Sequence, residues 1–463
     1  MNPQPPADHD PAAQFMTTGG WQRGLAYGLL GLPLAFVALP LYVILPNHYA
    51  RELGAPLAAL GAVLLAARLL DAVLDPWIGR WCDRLFARSH RTVLAVAAVS
   101  ALLLALGLWA LLFPPLVVRQ AGMHSLLAWA GVVMALSYTA FSVVSVAHQA
   151  WGARLGGNEA QRSRVVAWRE GLALLGVLLA SVLPGTLGLG VTVWAFAVLL
   201  ALGWWAWSRS AQPPVAAQHA HTATQARADT VTRSPLRQPA FLRLLAVFVL
   251  NGTASAVPAT LVLFFVQDRL QAPASVEPAF LGTYFLCAAL SIPLWVRVVA
   301  RLGLARTWLV GMGLSVLVFI WAATLGAGDT LPFLLVCALS GIALGTDLAL
   351  PSALLAGLIG QLGERGQREG AYFGWWSFAA KLNLALAAGL ALPLLAWLGY
   401  TPGTRTPEAL HTLTLAYCVL PCVLKLLAAG ALYALVIRRD ASALTDAPPH
   451  AAARATTPGT AVP

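Results

Sequence analysis

Residues Leu57–Trp81 read LAALGAVLLAARLLDAVLDPWIGRW, an apolar run whose only charges are Arg68, Asp71, Asp75 and Arg80. A hydrocarbon layer about 30 Å thick is crossed by about 20 apolar residues of helix, and this stretch supplies them. Positions three, four and seven apart share one helix face, so Arg68, Asp71 and Asp75 line up. A carboxylate at bilayer depth costs about 2.5–3.5 kcal/mol on the gentlest insertion scale and faces a bundle interior or an ion path. Asp71 and Asp75 therefore read as a cation site inside a membrane bundle.

The rest of the chain agrees with that setting. Hydrophobic residues make up 59% of 463 and charged residues 10%, with a mean hydropathy of +0.74, which leaves a soluble globule too little polar surface to cover its core. Apolar runs of bilayer length predict spans near 24–46, 57–79, 92–113, 124–149, 166–184, 189–208, 241–266, 279–300, 307–327, 331–359, 371–398 and 411–437. The expected fold class is an all-α membrane protein of twelve transmembrane helices. The formal charge of +11 would suggest a nucleic-acid partner in a soluble chain. Here the arginines cluster after spans two, four, six, eight and ten, so topology accounts for them and no nucleic acid is expected. The positive-inside rule puts both termini in the cytoplasm, with the chain in the plasma (inner) membrane. Residues 210–239, rich in Ala, Gln, Thr, His and Pro, read as a cytoplasmic linker between six-helix halves at 21–209 and 240–439. The Pro- and Ala-rich tails, 1–20 and 440–463, read as disordered. The expected partners are the lipid bilayer and a small-molecule substrate, with the chain acting as a monomer.

Two six-helix halves joined by such a linker are the plan of the major facilitator superfamily. After the second span comes Gly79-Arg-Trp-Cys-Asp83-Arg84, followed by Arg88 and Arg91, which resembles the superfamily's signature loop. The resemblance implies a cytoplasmic gate at Gly79, Asp83 and Arg84. Within the superfamily, Arg68-Leu-Leu-Asp71-Ala-Val-Leu-Asp75-Pro76 followed by Gly79 resembles the glycoside-pentoside-hexuronide:cation symporters, the melibiose permease-like family. Arg162 with Arg169, and Tyr372-Phe373-Gly374 followed by Lys381, add weaker matches. The resemblance implies that Asp71 and Asp75 bind a coupling sodium, lithium or proton, with Lys381 close by. Physics agrees that two neighbouring carboxylates need a cation or a shared proton between them, and Arg68 or Lys381 can supply charge when no ion is present. A permanent buried Arg-Asp pair holding helices together is the structural alternative.

The family's sugar-binding pattern is incomplete. Pro33 and Ser145 stand where sugar-carrying members have aspartates, the second within Ser145-Val-Ala-His148-Gln149. The function expected is a proton- or sodium-coupled symporter of a small solute by alternating access, with a sugar as the family default. A lysolipid or other amphiphile is the alternative solute. Candidate cavity residues are Ser145, His148, Gln149, Asp347, Trp375 and Trp376. Each has a plainer reading: a neutral hydrogen-bonding role for His148, a helix contact for Asp347, an interfacial belt for the tryptophans. Lys425 reads as a residue that snorkels or pairs locally, and Asn251 as a helix contact. Prolines 33, 40, 351 and 393 are expected to break their helices.

An aspartate pair four apart also occurs in intramembrane prenyltransferases, which are enzymes. Those carry a second such motif, and Asp347 has no carboxylate within a turn. No nucleophile-base pair or phosphate loop marks a catalytic residue. The five cysteines are odd in number and mostly inside spans, so neither a disulfide framework nor a metal site is expected. The chain reads as a carrier, not an enzyme, with no cofactor besides the coupling Na+ or H+.

Overall fold

In hydrocarbon the backbone has no water to bond to, so each apolar run closes its own N–H and C=O groups into a helix. The computed structural model describes residues 11–17, 19–214, 234–273, 275–401 and 403–439, and these contain no strand. Among them, nine helical stretches are long and apolar enough to cross a membrane. In chain order the first is α1 (Gly20–Arg51). The second helix is α2 (Leu57–Arg88), which carries Arg68, Asp71 and Asp75. Then come α3 (His90–Leu112) and α4 (Met123–Arg154). Glu159–Ser208 is two arms, α5 (159–187) and α6 (189–208), because Gly188 adopts φ +78°, a left-handed conformation that interrupts a helix and that glycine reaches freely. The second half runs through α7 (Pro239–Arg269), α8 (Glu277–Leu302), α9 (Leu304–Ala322) and α10 (Thr330–Gln361). It ends with α11 (Glu369–Trp397), the helix of Lys381, and α12 (Pro407–Ile437). These are consistent with the twelve spans predicted. Of the four prolines expected to break helices, Pro33 and Pro40 lie in α1, which is interrupted by turns at 29–30 and 37 and a wide turn at Pro40–Ile44. The helices continue through Pro351 and Pro393.

Within the first half α1 packs on the α5–α6 helix and α4 packs on α2 and α3; within the second, α10 packs on α8 and α9, and α7 on α11 and α12. The halves meet where α2 lies against α11 and where the α5–α6 helix meets α8 and α10. The α2–α11 contact is close because both helices place glycine in it. A Cβ on Gly374 would stand 2.5 Å from the Asp75 carbonyl oxygen, and Gly79 and Gly370 face each other backbone to backbone. Away from these seams, large apolar side chains lie exposed: Leu65, Leu69, Val73 and Trp77 on α2, and Val99, Leu102 and Leu106 on α3. Such stripes suit a lipid face and would be a liability in water.

The segment expected as a disordered tail over 1–20 is ordered in its described part. Pro11–Met16 forms a 3-10 turn in which Ala12 and Phe15 are fully buried. The Ala12 N–H donates to the Leu155 carbonyl (3.3 Å), and Phe15 stands edge-on to Tyr27. One apolar ring in a polar stretch found a pocket, which composition could not announce. Residues 1–10, the greater part of the 210–239 linker (215–233) and the tail 440–463 lie outside the described residues.

Candidate functional site

The site begins with the single face of α2 that carries both aspartates. The glycine seam brings α11 near enough for Lys381 to reach across: its Nζ lies 2.6 Å from Asp71 Oδ2 and 2.8 Å from Asp75 Oδ2. Lys381 also donates to Ser142 Oγ on α4 (2.9 Å), and that hydroxyl donates to Asp71 Oδ1 (2.8 Å). Three helices from both halves thus converge on one charge cluster. Asp71 is 3% exposed and Asp75 not at all. The two carboxylates are not equally served. Asp71 accepts the Ser142 hydroxyl, whereas neither oxygen of Asp75 has a hydrogen-bond donor among the described residues; Lys381 stands close to both carboxylates as an ion pair. Two carboxylates against one ammonium leave a formal charge of −1 in a buried place, which costs several kcal/mol unless compensated. Arg68 does not compensate it directly: its side chain is exposed and its guanidinium lies over the Tyr42 ring, 4.4 Å from the centroid.

One helical face of α4 continues from this cluster, since Ser142, Ser145 and Gln149 are three and seven positions apart. Both Ser145 and Gln149 are half-buried, and Gln149 donates to Ser145 Oγ (3.0 Å). His148 is turned away and fully buried, its Nε2 2.8 Å from the Tyr27 carbonyl and its ring packed on Tyr27 and Trp207. Neither described cavity includes it, because its position on the helix faces α1 and α6. Trp376 is likewise a core residue, stacked on Phe248 with centroids 3.8 Å apart. Its neighbour Trp375 is half-buried and edge-on to Phe378.

Toward the arginine-rich end of the bundle lies a latch. Asp83, at the far end of α2, accepts the backbone N–H groups of Gly370 and Ala371 (2.7 Å each), the orphan donors at the start of α11. A carboxylate from one half thus caps a helix of the other. Its cationic partner is Arg154 at the end of α4, 2.9 Å from Asp83 Oδ1 and 3.1 Å from Glu369 Oε2, which also donates to the Gly366 carbonyl (2.8 Å). Arg84, expected in this role, is exposed instead. Adjacent residues on a helix point about 100° apart, so Arg84 cannot share the direction of Asp83. The same device recurs at Glu159, whose Oε2 accepts the Leu304 N–H (2.8 Å) at the start of α9. Sequence reading missed Ser142, Arg154 and Glu159. The available signals were the shared face of Ser142 with Ser145 and the position of the two charged residues at helix ends.

In the second half Asp347 is held by four donors: Asn251 (3.1 Å), Trp308 (2.9 Å), Ser255 (3.1 Å) and Lys425 (2.5 Å). Lys425 does pair locally, and the pair lies in the wall of a cavity of about 270 Å³. Among the described residues no group of three His, Cys, Asp or Glu could hold a metal.

The family model described as MFS/sugar transport protein matches residues 24–439. The chain belongs to that family, as the resemblance read from Leu57–Trp81 implied. No curated protein matches it in sequence. Among solved structures, a bacterial homologue of the iron transporter ferroportin in an outward-facing state is similar, with TM-score 0.66, 16% identity, and 90% of this chain and 98% of that chain covered. The human organic anion transporter MFSD10 gives TM-score 0.59, 19% identity and coverage of 93% and 100%. The Escherichia coli fucose:proton symporter gives TM-score 0.61, 12% identity and coverage of 91% and 99%. At these identities the likeness is one of fold: all three are membrane transporters.

Proposed function

We propose that the protein is a secondary active transporter that couples a monovalent cation, Na+ or H+, to the movement of a small solute, with Asp71, Asp75 and Lys381 as the coupling site. The observation that carries this reading is the uncompensated negative charge of the cluster, with both Asp75 oxygens lacking a donor. One monovalent cation or one proton neutralises it, whereas a divalent ion would leave it positive. An arriving cation competes with Lys381 for the carboxylates. Because Lys381 sits on α11 in one half and the aspartates on α2 in the other, that competition alters the force holding the halves together. The latch of Asp83, Arg154 and Glu369 closes the arginine-rich end, which the positive-inside rule makes cytoplasmic, together with both termini. The conformation described is thus closed toward the cytoplasm, and transport proceeds by opening this end as the other closes. One chain supplies the whole cluster, so a monomer in the plasma membrane suffices.

Sugar symport is the family default, and the solute here departs from it. Pro33 is buried within α1 and has no side-chain acceptor to offer, and Ser145 offers a hydroxyl in place of a carboxylate. A less polar solute fits these changes better. Uptake into proteoliposomes under imposed sodium or pH gradients tests the coupling: wild-type protein accumulates solute only with one of them, and Asp75→Asn loses that dependence. Accumulation by Asp75→Asn at wild-type levels removes the assignment.

A further inference from the structure

The second half contains a cavity of about 270 Å³ between α7, α8, α9, α10 and α12 that the coupling reading does not use. Its walls are mostly apolar, including Pro258, Phe280, Tyr284, Phe319 and Val336, and its charged groups are Asp347 and Lys425. The hydrogen bonds at that charged corner are unequal. Both oxygens of Asp347 are filled, by Asn251 and Trp308 on one and by Ser255 and Lys425 on the other. Lys425 gives two of its three N–H groups, to Asp347 and to Ser255 Oγ (2.8 Å), which leaves one donor at the cavity wall among the described contacts. The corner therefore offers a positively charged donor at the cavity wall and no free carboxylate oxygen, the unpartnered Asn251 Oδ1 being buried and off the lining. A cationic head would find no free carboxylate to pair with, whereas an anionic oxygen would meet a charge-assisted donor.

Resting on the transporter reading above, we infer that this cavity is a solute site for a small apolar monocarboxylate, whose carboxylate binds Lys425 while its body fills the apolar wall. The volume lies just under the range of about 300–1,000 Å³ usual for drug-sized ligands, so the body is small. Charge must also balance. The Asp347–Lys425 pair is neutral, and a carboxylate entering alone would leave two anions against one cation. Neutrality therefore requires one proton from solvent to enter with the second anion, shared between the two carboxyl groups as a coupled pair beside Lys425. The other titratable groups facing this corner, Tyr284 from α8, Cys337 from α10 and Tyr417 and Cys422 from α12, are neutral at pH 7 and have no proton to gain there. On α7 and α9 the facing groups Asn251, Ser255 and Trp308 do not titrate.

Isothermal titration of purified full-length protein with 3-phenylpropionate, run at pH 7 in two buffers of different ionisation enthalpy, tests this. The expected result is saturable binding with uptake of about one proton, and at least tenfold weaker binding of the uncharged 3-phenylpropionamide. Lys425→Gln combined with Asp347→Asn, which keeps the corner neutral, should lose the preference for the acid. Ser340→Phe should abolish binding with the charge pair intact, since that serine lines the cavity and bonds only the Cys337 carbonyl of its own helix. Equal binding of acid and amide, no binding of the acid, or binding that survives Ser340→Phe overturns the proposal. Repeating the titration with Asp75→Asn in sodium and choline salts separates the two readings. Acid binding that never depends on sodium or on Asp75 counts against sodium coupling at that site and leaves the solute site standing. An ion-dependent stabilisation through Asp75 without any acid binding does the reverse.

Discussion

Replacing Asp75 with asparagine is the sharpest probe of the buried cluster, because the amide keeps the volume and removes one charge. In the wild type two carboxylates face one ammonium, with Lys381 2.6 Å from Asp71 and 2.8 Å from Asp75. In Asp75→Asn the remaining Asp71–Lys381–Ser142 set is neutral and already bonded, so the ion-free protein should be no less stable than wild type. The cation loses a charged ligand worth about 1.5–3 kcal/mol, a fall in affinity of roughly ten- to a hundredfold. A ligand at 100 times its dissociation constant stabilises a protein by about 2.7 kcal/mol, and after a hundredfold loss of affinity the same concentration stabilises it by only about 0.4 kcal/mol. Thermal unfolding of the purified protein in sodium, lithium and choline salts, and separately across pH in choline, reads this directly. The ion that stabilises wild type should leave Asp75→Asn nearly unmoved. An equal ion-dependent shift in both proteins would refute the reasoning, since the charge argued to require the cation would then be irrelevant to it.

Lys381→Ala should strand two buried carboxylates and cost about 3–5 kcal/mol, and adding Asp71→Asn should restore part of that loss; strict additivity in thermal unfolding would mean the groups do not interact. Arg154→Ala removes the cation between Asp83 and Glu369 and should cost a similar amount and open the arginine-rich end to thiol reagents at an introduced cysteine. Arg84→Ala should change stability by no more than about 0.5 kcal/mol, and equal effects of the two would dissolve the latch. A galactoside of the melibiose kind should bind more than about a hundredfold more weakly than to a carrier with both sugar-binding aspartates, because each charged partner missing at Pro33 and Ser145 is worth about 1.5–3 kcal/mol. Micromolar binding measured by calorimetry would reverse that reading.

Much of this was legible in single residues. The apolar runs, the alternation of arginines and the two aspartates on one face of a helix are local facts, because a helix repeats every 3.6 residues wherever it lies. Lys381 was harder: nothing in its own surroundings says which helix it faces, and only resemblance linked it to Asp71. Ser142 looked like any other serine in a span until packing placed it between Asp71 and Lys381. His148 and Trp376 were candidates for a cavity beside their plainer readings, and only packing shows neighbouring rings from α1, α6 and α7 around them.

What the sequence determined alone was a bundle of membrane-spanning helices and the need for something positive beside Asp71 and Asp75, since hydrocarbon tolerates neither an unpaired backbone nor an unpaired charge. The tertiary structure decided which positive group answers each negative one. It chose Arg154 over Arg84 because neighbours on a helix diverge, and Lys425 for Asp347 because α10 and α12 face one interior. It brought Lys381 to the aspartates across a seam where Gly79, Gly370 and Gly374 leave no Cβ to hold α2 and α11 apart.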